Sequence, residues 1–100
     1  MARSDLFRRP RGAAGYLLQI QSDFLDALET RAVVPMMLPA AVPRPIRNLH
    51  PHFVIAGEDF LTATQLPGAI PKRELGPAIS NLTAHQDEIT RALDALITGF

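Results

Sequence analysis

Over the first four-fifths of the chain, apolar residues alternate with polar ones or gather in short runs; a helical period appears only in the last twenty residues. In residues 16–20, Tyr16, Leu18 and Ile20 alternate with Leu17, Gln19 and Gln21, the two-residue period of a strand. Residues 31–38 predict a second strand, apolar almost throughout and carrying the β-branched pair Val33 and Val34. A strand apolar on both faces belongs at the centre of a sheet. Pro35 removes one ladder donor from it, which predicts a bulge or a strand end at that point. Residues 39–51 carry Pro39, Pro43, Pro45 and Pro51 and read as a connection with at most a short helical turn. Residues 52–55 predict a third strand, 56–59 a hairpin turn and 60–64 a fourth strand. After a turn at 65–68, residues 69–72 predict a short edge strand, and residues 3–8 predict one at the N-terminus. Gly76-Pro77 then breaks the chain, with a short turn expected at 78–81.

The final segment changes period. Ile89, Ala92, Leu93, Leu96 and Ile97 recur at spacings of three and four, one apolar stripe of a helix. Thr83 followed by Gln86 reads as a capping box, and Asp87 and Glu88 suit the positive end of the helix dipole. Gly99 is placed to take the left-handed conformation that ends a helix, which carries Phe100 beyond the cap. Two readings of Phe100 stay open: it folds back onto the core, or Gly99-Phe100 is a contact tip. The elements add up to a mainly β, α+β chain: a small, strongly bent antiparallel sheet or partial barrel with one C-terminal helix packed on it.

At 100 residues with 47% apolar content, the chain predicts one soluble globular domain, residues 1–100. No apolar run approaches the roughly 20 residues that span a bilayer, and no apolar stretch follows the basic start as a secretory signal requires. The absence of cysteine excludes disulfides, thiolate catalysis and cysteine metal sites, and is compatible with a cytoplasmic location. The net charge is zero but uneven. Residues 1–50 hold seven arginines against four acids (+3), and residues 51–100 hold three basic groups against six acids (−3). A neutral chain has no general pull towards nucleic acid. The Arg8-Arg9-Pro10-Arg11 cluster, among Gly12 and Gly15, reads as a solvated hairpin loop in preference to a phosphate contact.

Candidate chemistry is sparse. His50 and His52 would share one side of a strand, but Pro51 separates them and no third ligand follows, so no metal site is expected. Gly12 and Gly15 lack the spacing and the following helix of a phosphate-binding loop. Ser22 beside Asp23 has no signature pairing it with a histidine base. Asp23, Asp26 and Glu29 form an acidic segment between two strands. It reads first as a solvated loop, second as a face for a basic partner, and third as a source of acid–base catalysis.

Several runs in register resemble a known family. They are Gln21-Ser22-Asp23-Phe24-Leu25-Asp26, Arg31-Ala32-Val33-Val34-Pro35, Leu49-His50-Pro51, Ile55-Ala56-Gly57-Glu58 and the helix that closes on Gly99-Phe100. Their order and spacing resemble CcdB-type toxins over nearly the whole chain, and the tail from Ala92 to Phe100 is most similar to chromosomal members. The resemblance implies a small SH3-like antiparallel β-barrel with a C-terminal helix, acting as a homodimer and needing no cofactor, metal or catalytic residue. It implies the toxin of a type II toxin–antitoxin pair that inhibits or poisons DNA gyrase through its A subunit. A CcdA-like antitoxin would neutralise it and join it in repressing their operon, with the antitoxin supplying the DNA contact. The implied gyrase contacts are Asp94, Thr98, Gly99 and Phe100; the implied antitoxin contacts are Ser22, Phe24 and Asp26. One departure falls at the tip. The best-known members end in Trp-Gly-Ile, whereas this chain ends in Thr98-Gly99-Phe100, so the indole is absent and a ring stands two positions later. Two alternatives remain beside this: a homologue that binds antitoxin without poisoning gyrase, and a MazF-like endoribonuclease on the same barrel type. For the latter, Arg31 with Asp26 is the nearest pair of basic residue and base in sequence.

Overall fold

The structure, a computed structural model, describes residues 2–12 and 14–99. Its strands in chain order are β1 (Asp5–Arg8), β2 (Tyr16–Gln19), β3 (Thr30–Met37), β4 (His52–Ile55), β5 (Glu58–Thr62), β6 (Gly68–Pro71) and β7 (Ser80–Asn81). The helix α1 (Gln86–Thr98) follows. The strands form an antiparallel sheet in the order β4-β5-β3-β2-β1-β7, with β6 also paired to β3. The sheet curls into a half-barrel that is closed on one side by α1.

The apolar run at the centre of the sequence does become the central strand. One edge of β3 pairs with β2. The other edge is shared, with Thr30–Val33 on β6 and Met36–Met37 on β5. Pro35 lies at the seam between those two partners. Its carbonyl accepts from the Ala63 amide at 2.9 Å, so its nitrogen, which points to the same side of the strand, meets no ladder acceptor. The bulge expected there does not form: Val33, Val34, Pro35 and Met36 face Gln19, Leu18, Leu17 and Tyr16 in unbroken register.

The two faces of the sheet carry two cores. Leu6, Leu18, Val34, Met36, Phe53, Ile55 and Phe60 pack on one face and receive Ile89 of α1. Phe7, Leu17, Val33 and Leu75 pack on the other. Of the apolar stripe on α1, Ile89 and Ala92 are buried and Leu93 and Leu96 half-buried. Ile97 is 78% exposed and leaves the stripe. It stands eight residues after Ile89 and is therefore turned about 80° around the axis.

Three local expectations are revised. Where a turn is expected at 78–81, Ser80 and Asn81 form β7 instead, because β1 needs partners on its free edge: Asp5 faces Asn81 and Leu6 faces Ser80. The hairpin turn is tighter than expected. Ala56 and Gly57 alone make it, both at positive φ (53° and 80°), so Glu58 and Asp59 join β5. The capping box does not form either. Thr83–His85 is a 3-10 turn leading into α1, and the Thr83 amide donates to Asn81 Oδ1 at 2.8 Å. At the other end Gly99 takes the expected left-handed conformation (φ 83°) and its amide donates to the Ala95 carbonyl at 3.0 Å.

Candidate interaction site

The end of α1 is a solvated projection. Asp94, Ile97, Thr98 and Gly99 are all exposed. The Thr98 hydroxyl donates to the Asp94 carbonyl at 2.7 Å, which fixes its rotamer against the last turn and leaves its methyl to solvent. Phe100 lies outside the described residues.

The loop between β2 and β3 is the other projection. Ser22 caps a 3-10 turn, Asp23–Leu25, by accepting the Phe24 amide on its hydroxyl at 3.2 Å. That turn drives Phe24 outward, 99% exposed, with Leu25 and Leu28 about half exposed beside it. A ring so fully solvated contributes nothing to the core. The Ser22 hydroxyl is spent on shaping the loop, whereas Phe24 and part of Asp26 face outward.

Beneath the loop lies Arg31, 1% exposed. Its Nη1 donates to the Leu28 and Thr30 carbonyls at 2.7 and 3.0 Å, and its Nη2 to the Asp26 carbonyl at 3.0 Å. The Asp26 carboxylate is farther, at 3.9 Å. Arg31 therefore braces the loop from beneath and has no open access to a substrate, whereas the Asp26 side chain is about half exposed. Gln21 adds to the brace, donating from Nε2 to the Leu25 carbonyl and accepting the Ala32 amide on Oε1.

Arg3 joins the two projections. Its amide donates to Asp23 Oδ1 at 2.7 Å, and its Nη2 donates to the Thr90 hydroxyl of α1 at 2.6 Å. The loop bearing Phe24 is thus tied to the helix whose end bears Thr98 and Gly99. Nothing in the sequence marks Arg3 for this role, because its partners stand 20 and 87 residues away.

A second feature escaped the sequence. Two adjoining hollows, of about 250 and 340 Å³, share Arg9, Ala14, Gly15, Glu58 and Phe60. Gly15 turns the β1–β2 hairpin at positive φ (102°), and a Cβ there would be in ordinary contact with Arg9 Cδ at 3.6 Å and the Met36 carbonyl of β3 at 3.4 Å. Arg9 and a carboxylate, Glu58, line one groove. Only the turn residues of the hairpin were legible beforehand; that β5 would bring Glu58 opposite was not.

The histidines do not converge. His50 is buried outside any strand; its Nδ1 accepts the Ile46 amide at 2.8 Å, which leaves Nε2 to donate to Gln65 Oε1 at 2.9 Å. His52 is exposed and lies 3.3 Å from Asp59 Oδ1. Among the described residues, no group of three or more metal-ligating side chains gathers, and no helix is long and apolar enough to cross a membrane.

Comparisons with known proteins add to this geometry. Among solved structures, the fold is similar to that of an endoribonuclease from a mycobacterial species in complex with its cognate antitoxin. The TM-score is 0.79 at 15% identity, over 97% of this chain and 94% of that one. It is also similar to a mycobacterial endoribonuclease at TM-score 0.77 and 14% identity, over 97% of this chain and 90% of that one. A comparison with curated proteins found no match. The profile of the CcdB protein family matches residues 3–99, nearly the full length. A match of that extent, on a half-barrel closed by a C-terminal helix, makes this chain a member of the CcdB family.

Proposed function

We propose that this protein is the toxin of a type II toxin–antitoxin pair and that it acts by binding the A subunit of DNA gyrase and trapping the enzyme on cleaved DNA. It works as a homodimer, so that a two-fold axis presents two helix ends to a two-fold target. Asp94, Thr98, Gly99 and Phe100 form the contact with gyrase. The observation that carries this is the solvated end of α1, closed by the left-handed Gly99 and tied through Arg3 and Thr90 to the Phe24 loop. An inhibitor of this kind needs a rigid projecting tip and no chemistry of its own. Inhibition of supercoiling, with accumulation of cleaved DNA, is its test.

The loop of Ser22, Phe24 and Asp26 receives a CcdA-like antitoxin. Its exposed ring fills a partner's pocket, and Asp23, Asp26 and Glu29 around it suit a tail with basic residues. The toxin–antitoxin complex also represses its operon, through the DNA-binding part of the antitoxin. Phe24→Ala is expected to weaken antitoxin binding by about 2 kcal/mol, roughly thirty-fold in Kd. Calorimetric titration with the antitoxin checks this, and an unchanged Kd removes the loop from the interface.

One observation favours a second reading. The similar solved structures are of endoribonucleases, and one groove is lined by both Arg9, a cation for a phosphate, and Glu58, a carboxylate that can accept a hydroxyl proton. Under this reading the purified protein cleaves single-stranded RNA, and Glu58→Gln loses the activity while its melting temperature stays unchanged. Under the gyrase reading, RNA stays intact with either protein.

A further inference from the structure

We propose that a channel along α1, on the flank away from the Phe24 loop, binds an extended partner segment that carries carboxylates at one end and apolar side chains at the other. The inference stands on the channel itself and goes beyond the assignment of the helix tip to gyrase. Two hollows adjoin there. One, of about 500 Å³, is lined by Arg47, Asn48, Pro51, Glu88 and Arg91. The other, of about 380 Å³, is lined by Ile46, Asn48, Leu49, Ala95, Leu96 and Gly99. Asn48 lines both, so the two hollows adjoin end to end between the proline-rich connection and the helix.

On α1, Glu88, Arg91, Ala95 and Gly99 follow at spacings of three and four and make a single flank. Thr90, which holds Arg3, is turned about 140° from Ala95 and faces the other way. From residue 88 to residue 99 the flank is about 16 Å long, room for about five extended residues. The opposite wall is irregular in conformation but held in place. The Leu49 and His50 amides donate to the Ile46 carbonyl at 3.0 and 2.9 Å. The buried His50 ring in turn accepts the Ile46 amide and is anchored to Gln65. The groove is therefore preformed, which lowers the ordering cost of binding.

Its chemistry changes along its length. At the polar end, Arg47 and Arg91 have no ion pair and no side-chain hydrogen bond among the described residues. The acid that lines this end, Glu88, has one oxygen 3.3 Å from His85 Nδ1. Two guanidinium groups thus face one carboxylate that already has a neighbour, and a planar fork without a partner matches an incoming carboxylate. At the other end, Ile46 exposes more than half of its surface (58%) beside the half-buried Leu49 and Leu96. A bound segment therefore sets its acids against Arg47 and Arg91 and its apolar residues towards Gly99.

Selection of displayed random peptides on the purified full-length protein tests this. The expected result is enrichment of peptides with one or two acids followed within five residues by apolar side chains. Their binding should fall at least ten-fold on Arg47→Glu/Arg91→Glu, and a peptide with lysine in place of its acids should regain binding to that variant. Both positions are exposed, so an unchanged melting temperature is expected to confirm that the double variant folds; Ile46→Asp should weaken the same peptides without touching either arginine. Enrichment of basic peptides, no enrichment, or undiminished binding to the double variant overturns the proposal. So does a dimer that dissociates on the arginine substitutions, because the occupant is then a second copy of this chain.

Discussion

Replacing Arg31 with leucine is expected to destabilise the protein by about 3–5 kcal/mol, the cost of leaving several buried main-chain acceptors without donors. The side chain is 1% exposed and serves three main-chain carbonyls, those of Asp26, Leu28 and Thr30, at 2.7–3.0 Å. A leucine fills much of the volume but leaves these acceptors without donors beneath a loop that cannot turn them all to water. Against the 5–15 kcal/mol typical of a domain, such a loss is large, and it lowers the melting temperature by roughly 12 °C or more. Asp26→Asn provides the contrast. The carboxylate is 3.9 Å from the guanidinium and about half exposed, so its loss costs less than about 1 kcal/mol. Urea unfolding of the two variants separates the roles. Equal effects would show that the ion pair, and not the main-chain brace, holds the loop. Because the brace sets the direction of Phe24, Arg31→Leu also impairs antitoxin binding, even at temperatures where the rest of the chain stays folded.

Deleting residues 98–100 is expected to abolish action on gyrase while leaving the fold nearly intact. The helix is anchored by Ile89 and Ala92, both buried and both more than one turn before the deletion. The cut removes the Thr98–Asp94 and Gly99–Ala95 hydrogen bonds, which are solvated and together contribute no more than about 1–2 kcal/mol. Three of the four residues offered to the target, Thr98, Gly99 and Phe100, go with them, and only Asp94 stays. Phe100 is the one ring of that tail; stacked on an arginine of the target, as the indole of the best-known members is expected to be, a ring contributes about 0.5–2 kcal/mol, so Phe100→Ala alone weakens the gyrase contact roughly two- to thirty-fold. The Phe24 loop is untouched by either change, and antitoxin binding persists. A truncated chain that no longer binds antitoxin would place both partners on the same tail.

What could be read beforehand was what local pattern dictates. The run Ala32-Val33-Val34 announced the central strand, the Gly57 turn announced a hairpin, and Gly99 announced the end of the helix; each depends on residues within a few positions of one another. The features that failed depend on distant partners. Ser80-Asn81 carries no strand signal and becomes β7 only because β1 offers it an open edge. Pro35 announced a missing donor, but where that donor would have pointed was set by the handover from β6 to β5. The interaction surfaces divide in the same way. The helix tip and the acidic loop were visible as segments. The link between them through Arg3, and the groove that Arg9 and Glu58 both line, exist only once the sheet has curled. Arg31 was paired with Asp26 on nearness in sequence alone; its three carbonyl partners are main-chain atoms, which no side-chain pattern records.

The central claim is that this member of the CcdB family disables DNA gyrase through the end of α1. The most direct test is a supercoiling and DNA-cleavage assay with purified gyrase from the source organism, comparing the full chain with one that lacks Thr98-Gly99-Phe100. The account predicts that the full chain inhibits supercoiling and accumulates cleaved DNA, and that the shortened chain, folded and still able to bind antitoxin, does neither. Gyrase that is indifferent to both chains, or equally inhibited by both, would contradict it.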